Sequence, residues 1–209
     1  MADVAIAHGE GHAADHPETT TGLPHTKLAM WIFLASECML FGALITTYVL
    51  YRGRSEEGPF PADVFDIPYT SVSSFVLLAS SLTMVLALSA AQERDTGRMR
   101  LWLLTTALLG TTFVGGQVYE FTAFYDEGLR LSTNLFSTTF YVLTGFHGVH
   151  VTVGVLMLLS LVGLSSARRL PADPSFPIEM VGLYWHFVDI VWIVIFTVVY
   201  LVPTPTPGG

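Results

Sequence analysis

Charged residues are scarce in this sequence: only 12% of its 209 residues are Asp, Glu, Lys or Arg, about half the share found in a typical soluble domain. Basic residues are the rarer sign, with 9 Lys and Arg against 17 Asp and Glu. Because a nucleic-acid-binding face needs positive charge against phosphate, this balance excludes nucleic acid as a partner. The single cysteine, Cys38, excludes an internal disulfide framework. A hydrophobic content of 52% excludes a disordered chain.

Long apolar stretches separate the few charged clusters. A membrane-spanning α-helix needs about 20 mostly apolar residues. Five stretches meet this criterion, at roughly residues 28–51, 71–91, 101–124, 135–164 and 180–202. The alternative, a soluble helical bundle, would need a polar face on each helix, and Val76–Ala91 and Val151–Leu164 have none. We therefore predict an all-α polytopic membrane protein, a bundle of five transmembrane helices, over residues 27–202.

The two ends of the chain predict tails outside the membrane. Residues 1–26 are polar and acidic and lack the apolar segment of a cleavable signal peptide. This segment also contains His8, His12, His16 and His25. Their spacing could place imidazoles on one helix face for a metal, but the surrounding Gly, Ala and Thr favour a disordered cytoplasmic tail. Residues 203–209, with the sequence PTPTPGG, predict a short C-terminal tail.

Lys and Arg are unevenly distributed between the two ends of the predicted bundle. These residues set topology, because acidic residues contribute little to it. One end carries Lys27, Arg94, Arg98, Arg100, Arg168 and Arg169. The other carries Arg52, Arg54 and Arg130. The excess predicts a cytoplasmic N-terminus and an external C-terminus, and it places Tyr48, Tyr51, Tyr125 and Tyr200 in an aromatic belt at the outer interface.

Several ionisable side chains fall inside the predicted spans, where an unpaired charge costs at least about 2.5–3.5 kcal/mol. They are Glu37, Glu120, His147, His150, His186 and Asp189. Glu37 lies close to the predicted midplane of the first span. Its own helix face, which includes Phe33, Phe41 and Tyr48, offers no counter-charge. We therefore expect Glu37 to be protonated or to form a hydrogen bond with another helix.

The motif GFHGVH places His147 and His150 on one helix face near the middle of the fourth span. This spacing is compatible with a haem or copper site and also with hydrogen bonds between helices. The lack of a further intramembrane cysteine, a methionine cluster or a third suitable histidine favours the hydrogen bonds. Small residues on the same span, Gly145, Gly148 and Gly154, would let a neighbouring helix approach closely.

The fifth span carries the segment YWHFVDIVW, in which an imidazole–carboxylate pair of His186 and Asp189 is geometrically possible. Trp185 and Trp192 extend these residues into a partly polar, partly aromatic strip. On the third span, Glu120 lies near the outer end. Its spacing leaves two possibilities open, an interfacial carboxylate and a buried pair.

Four of the five spans contain segments that resemble subunit III of the haem-copper oxidases, in the five-helix form found in bacteria. The segments are SECMLFGAL at Ser36–Leu44, GQVYEF at Gly116–Phe121, STTFYVLTGFHGVHVTVG at Ser137–Gly154 and YWHFVDIVWIVIFTVVYL at Tyr184–Leu201. They occur in the order typical of the family, and the last is its strongest signature.

This resemblance implies an accessory subunit of the bacterial inner membrane that packs beside oxidase subunits I and II. It implies no catalytic residue, haem, copper or other metal in this chain, with haem and copper in the partner subunits. It also implies bound phospholipid and support for proton uptake by subunit I. Longer members have two extra N-terminal helices that help to form the lipid cleft, and these are missing here. The family's polar and aromatic positions correspond to Glu37, Glu120, His147, His150, Trp185, His186, Asp189 and Trp192.

The resemblance does not fix the electron donor of the complex. Subunits III of cytochrome c oxidases, of quinol oxidases and of relatives linked to nitric oxide reduction share these segments. Glu37 in its Ser-Glu-Cys context favours the cytochrome c branch. Two hypotheses of other classes stay open from the residues alone: an independent proton-coupled transporter that uses Glu37, Asp189 and the histidines, and a haem protein ligated by His147 or His150.

Overall fold

The computed structural model describes residues 24–52 and 66–202, and over these residues the chain is entirely helical outside its turns. The helices are α1 (His25–Tyr51), α2 (Ile67–Gln92), α3 (Thr96–Asp126), α4 (Leu135–Ser166) and α5 (Ser175–Phe196). A π-helical turn, Thr197–Leu201, continues α5. Five helices are long and apolar enough to cross a membrane, which confirms the predicted all-α membrane fold.

Polar side-chain caps lie at the starts of α2, α3 and α4, before their apolar stretches. The Asp66 carboxylate accepts a hydrogen bond from the backbone N–H of Tyr69 (3.1 Å), so α2 begins ahead of the predicted residue 71. Asp95 caps α3 in the same way, by accepting from the N–H groups of Gly97 (3.1 Å) and Arg98 (3.0 Å). Hydropathy does not register such a first turn, so α3 begins at Thr96, ahead of the predicted span at 101. Helix α5 begins at Ser175, ahead of the predicted span at 180, without a side-chain cap.

The predicted tails fall largely outside the described residues. His8, His12 and His16 lie there, as do Arg54 and residues 203–209. His25 is the exception, because it is the first residue of α1. Helix α1 begins directly after Pro24, two residues ahead of the predicted start of the membrane domain at residue 27.

The helices pack in a layered order that leaves α1 at the edge. Helix α2 lies against α3 and α5, α4 lies against α3 and α5, and α1 contacts only α4 and α5 appreciably. The buried core includes Leu77, Leu103, Phe113, Phe140 and Trp185. This order places the polar positions of α4 and α5 in the middle of the molecule, between the faces of α1 and α2.

Helix α1 buries a single narrow stripe. Leu34, Phe41 and Tyr48 are its buried residues and follow one another at heptad spacing. Polar contacts hold its two ends: Lys27 Nζ lies 2.5 Å from Glu179 Oε1, and Arg52 Nη1 donates to the Val198 carbonyl at 3.2 Å. The rest of α1 presents apolar side chains outward, so this helix has a free face for lipid or for another chain.

The expected aromatic belt is only partly present. Tyr125 is exposed, but Tyr48 and Tyr200 are 0% and 7% exposed and lie inside the bundle. The belt prediction is wrong for these two residues because their helix faces turn toward neighbouring helices. For Tyr200 the π-helical turn contributes, since its wider spacing rotates the last residues relative to α5.

Candidate functional site

Glu37 meets its partner on the fourth helix. Its Oε2 lies 3.1 Å from His150 Nε2, and both side chains are about 15% exposed. The other ring nitrogen of His150, Nδ1, lies 2.7 Å from the Phe146 carbonyl oxygen. The ring of Phe41 packs edge-on against His150, with 4.9 Å between centroids. This contact supplies the interhelical partner that the face of α1 lacks.

The hydrogen-bond geometry of Glu37 and His150 indicates how many protons the two side chains share. A carbonyl oxygen only accepts, so His150 Nδ1 must carry a hydrogen toward Phe146. The contact between Nε2 and the Glu37 carboxyl then requires one further proton between them. Whether that proton belongs to the carboxyl or to the imidazole, the pair as a whole is neutral. Neutrality is what makes the pair tolerable in hydrocarbon.

His147 lies deeper and has a different environment. It is 0% exposed, stacks on Trp192 with centroids 4.8 Å apart, and meets the edge of Phe113 at 5.8 Å. Neither ring nitrogen has a hydrogen-bond partner among the described residues. His147 and His150 therefore share a helix but not an environment: aromatic rings enclose His147, whereas His150 is paired with Glu37.

A second polar group joins α2 to α5. Ser81 Oγ donates to Asp189 Oδ2 and lies 3.0 Å from His186 Nδ1. Because a hydroxyl has one hydrogen, His186 Nδ1 must be the donor in the second contact. A direct pair of His186 and Asp189 was geometrically possible from their spacing, and the structure connects the two residues through the hydroxyl of Ser81. His186 thus donates to the Ser81 hydroxyl, which donates to Asp189, and these two hydrogen bonds connect α2 and α5.

The two tryptophans of α5 are buried and hydrogen-bonded to the same neighbour helix. Trp185 Nε1 donates to Ser80 Oγ at 2.9 Å, and Trp192 Nε1 donates to Ser74 Oγ at 2.9 Å. The Trp185 ring fits against Gly154 of α4, where an added Cβ would lie 2.8 Å from ring carbons. This position therefore requires glycine for the close approach of α4 to α5.

Two further glycines of α4 differ sharply. A Cβ on Gly148 would lie 2.5 Å from Gln117 Oε1, and Gln117 Nε2 donates to the Thr144 carbonyl at 2.7 Å, so α3 and α4 meet closely here. Gly145 has nothing within 4 Å of an added Cβ. The close packing expected at Gly145 is not met within this chain, because that residue lines an open groove of about 300 Å³ between the two helices.

Glu120 is buried within the bundle and forms a hydrogen bond to another helix. It is 7% exposed, and its Oε1 accepts a hydrogen bond from the Thr70 hydroxyl of α2. The side chain also lines a cavity of about 460 Å³ with Asp66, Tyr69 and Tyr119. Glu120 thus links α2 to α3 near the end of the bundle opposite Lys27.

Sequence reasoning missed the hydroxyl residues of α2 that receive these contacts. They are Thr70, Ser74, Ser80 and Ser81. Hydropathy indicates no polar face on Val76–Ala91, because serine and threonine score as nearly neutral. Ser80 and Ser81 show that this interpretation is wrong. The spacing of Thr70, Ser74 and Ser81, one and then two helical turns apart, is the signal that could have identified these three residues.

The combined arrangement joins helices through hydrogen bonds between polar side chains. Among residues 24–52 and 66–202, no three His, Cys, Asp or Glu side chains are grouped so that they could hold a metal ion. Both ring nitrogens of His150 are engaged in contacts, and aromatic rings enclose His147. Haem ligation by either histidine would require these contacts to rearrange.

Comparison with known proteins gives one consistent result. Residues 5–203 match the family model described as cytochrome c oxidase subunit III. The chain is 38% identical over 198 residues to cytochrome bo(3) ubiquinol oxidase subunit 3 of Pseudomonas aeruginosa, covering 95% of this chain and 94% of that protein. It is 39% identical over 174 residues to cytochrome c oxidase subunit 3 of Bacillus sp. strain PS3, covering 83% and 84%. It is 37% identical over 194 residues to quinol oxidase subunit 3 of Bacillus subtilis, covering 93% and 95%.

Proposed function

The chain belongs to the cytochrome c oxidase subunit III family, and we propose that it works as the accessory, non-redox subunit of a proton-translocating respiratory terminal oxidase. The match of residues 5–203 to this family carries the proposal. In the proposed complex, subunits I and II hold the haem and copper and reduce oxygen to water. This chain stabilises them, binds phospholipid and supports proton uptake by subunit I.

The polar contacts within the bundle support a structural contribution of this kind. Glu37–His150 joins α1 to α4, Ser81–Asp189 joins α2 to α5, and Thr70–Glu120 joins α2 to α3. The three contacts share no residue, and each joins a different pair of helices, which is typical of a structural role. A transporter, the alternative class, would connect its titratable groups into one route.

We infer a bacterial inner-membrane location, with a cytoplasmic N-terminus and an external C-terminus. The Lys and Arg distribution supports this orientation, because Arg94, Arg100 and Arg168 lie at the same end of the bundle as the start of α1. The exposed apolar face of α1 is suited to contact with lipid or with a partner subunit.

We infer cytochrome c as the electron donor of the complex, from the Ser-Glu-Cys context of Glu37, with quinol as the second candidate. The relatives include both kinds at nearly equal identity, 39% for a cytochrome c oxidase subunit and 38% for a ubiquinol oxidase subunit. An oxygen-consumption assay on the purified complex, with reduced cytochrome c in one arm and ubiquinol in the other, decides between the two donors.

Co-purification tests the proposed function directly. An affinity tag on this chain, followed by gentle detergent extraction, should bring down partner subunits that carry haem and copper. After the subunits are separated, the haem absorption should follow the partners. A chain that purifies alone with a stoichiometric Soret band, or that turns over substrate by itself, would contradict the proposal.

Proton uptake needs a separate measurement. Oxidase turnover at alkaline pH, where protons are scarce, should fall faster with pH in a complex that lacks this chain than in the intact complex. Equal pH profiles for the two preparations would remove proton uptake from the proposed role and leave the structural role in place.

A further inference from the structure

The outward face shared by the middles of α2 and α5, called here the α2–α5 face, is largely apolar. Its exposed side chains include Leu82 and Val85 of α2 and Ile190 and Ile193 of α5. His186 lies on the same stripe of α5, four and seven residues before the two isoleucines. Its side chain is only partly buried. An imidazole is therefore exposed on a surface that otherwise suits hydrocarbon.

His186 lies close to the middle of its membrane span. It follows the start of the span Ser175–Leu201 by eleven residues, or about 17 Å at a rise of 1.5 Å per residue. The hydrocarbon core of a bilayer is about 30 Å thick, so His186 is far from both headgroup layers. At this depth neither water nor a lipid acyl chain supplies a hydrogen-bond partner.

The contacts of His186 determine the role of its outward nitrogen. Nδ1 donates to Ser81 Oγ at 3.0 Å, because the Ser81 hydroxyl donates its own hydrogen to Asp189. The ring is neutral, since an imidazolium exposed on an apolar face at this depth is costly. Nε2 is then a hydrogen-bond acceptor, and it has no partner among residues 24–52 and 66–202. A polar atom left without a partner in hydrocarbon costs free energy.

Hydrogen bonds to α2 on both sides of His186 hold it in this orientation. Trp185 Nε1 donates to Ser80 Oγ, and Trp192 Nε1 donates to Ser74 Oγ, both at 2.9 Å. Helix α5 cannot turn Nε2 into the bundle without breaking these bonds. The outward position of the acceptor is therefore built into the packing of α2 against α5.

We propose that the α2–α5 face docks a transmembrane helix of a neighbouring subunit, which donates a hydrogen bond to His186 Nε2 from a hydroxyl, indole or amide side chain. A lipid acyl chain could cover the apolar residues but has no donor for Nε2, so a protein segment fits this surface better. Hydrogen bonds between side chains contribute to helix association in membranes, where apolar surface alone supplies no driving force. This inference deepens the assembly role of the proposed function and rests on it.

Photocrosslinking within the intact, purified complex tests the docking. The photoreactive residue p-benzoylphenylalanine replaces Ile190, beside His186, and in a control it replaces Leu108 of α3. The two positions are similarly exposed, at 61% and 66%. We expect the probe at position 190 to bond covalently to one transmembrane segment of a partner subunit, with a Ser, Thr, Tyr, Trp, Asn or Gln within a helical turn of the bonded residue. The probe at position 108 should not capture that segment.

A matched pair of substitutions separates the outward contact from the inward one. In His186→Asn the amide nitrogen is as many bonds from Cβ as Nδ1, so it can still donate to Ser81, but the side chain ends short of the Nε2 position. In His186→Gln the amide reaches the level of Nε2 and retains an acceptor. We expect His186→Asn to dissociate from the complex about three to thirty times faster than the wild type, and His186→Gln to stay within about twofold of it. A purely internal role for His186 gives the reverse order.

The proposal is overturned if the probe at position 190 captures only lipid, if the captured segment has no donor side chain at the contact or presents a carboxylate there, or if His186→Gln dissociates faster than His186→Asn. A chain that purifies without haem-bearing partners would contradict the proposed function and the docking together. An intact haem-bearing complex in which the probe at position 190 captures no protein would contradict the docking alone.

Discussion

At the scale of single residues, the molecule places ionisable groups in hydrocarbon by giving each a partner on another helix. Glu37 has His150, Asp189 has Ser81 and Glu120 has Thr70. His147 is the exception, because its surroundings are aromatic rings instead of polar atoms. The functional roles of these residues stay predictions, but their contacts allow the effect of each substitution on stability to be predicted.

Replacing Glu37 should discriminate between its possible states. In Glu37→Gln the amide can donate to His150 Nε2 in place of the shared proton, so we expect stability within about 0.5 kcal/mol of the wild type. Glu37→Leu leaves Nε2 without a partner and should cost about 1–3 kcal/mol. Thermal unfolding in detergent, followed by size-exclusion chromatography, measures both. Equal losses in the two variants would show that an ionised carboxylate is required.

Ser81 and Asp189 should behave as a coupled pair. Asp189→Ala removes the acceptor of the Ser81 hydroxyl, and Ser81→Ala removes the link from His186 to the carboxylate. Each single variant should lower the free energy of unfolding and weaken retention of the chain in its complex. The double variant should lose less unfolding free energy than the sum of the two single variants, with a coupling of about 0.5–3 kcal/mol. A double-mutant cycle on unfolding in detergent measures the coupling. Strict additivity would argue that the two residues act independently.

At the scale of helices, close approach depends on which glycine faces which neighbour. Helix α4 presents Gly154 to the Trp185 ring and Gly148 to Gln117, whereas Gly145 faces open space. All three look alike in the sequence, and all three were expected to pack. Only the rotation of α4 about its axis separates them, because residues a few positions apart face different neighbours.

The matched pair Gly154→Ala and Gly145→Ala tests this difference. The first introduces a methyl group 2.8 Å from Trp185 ring carbons, and the overpacking should destabilise the bundle by about 1–3 kcal/mol. The second meets nothing within 4 Å and should be neutral or slightly stabilising, since alanine favours a helix by about 0.5–1 kcal/mol over glycine. Midpoints of thermal unfolding compare the two. Equal midpoints would contradict the described contact between α4 and α5.

At the scale of the whole molecule, the Lys and Arg residues of the described part of the chain are concentrated at one end, and apolar surface surrounds the middle. Helix α1 stands at the edge, attached at its ends by Lys27–Glu179 and Arg52–Val198 and along its length by a narrow stripe. The match to the family covers residues 5–203 and therefore includes all of α1.

Orientation is a property of the whole molecule that labelling can decide. With Cys38 replaced by Ser, a single cysteine at Arg130→Cys should react with a membrane-impermeant maleimide added to intact cells. A single cysteine at Arg98→Cys should react only after permeabilisation. The reverse pattern would place the arginine-rich end outside and contradict the predicted cytoplasmic N-terminus.

The sequence by itself determined the five spans, the ionisable residues within them and the family segments, because each of these is a local property of a stretch of residues. Hydropathy needs no knowledge of neighbours, and a motif is read in one place. Only the tertiary structure decided which helix supplies each partner. Glu37 and His150 are 113 positions apart, and Ser81 and Asp189 are 108 positions apart. Which of the many hydroxyl and histidine side chains face each other depends on helix order and rotation. A cavity lined by Arg94, Arg100 and Arg168 likewise exists only because the α2–α3 turn lies beside the end of α4.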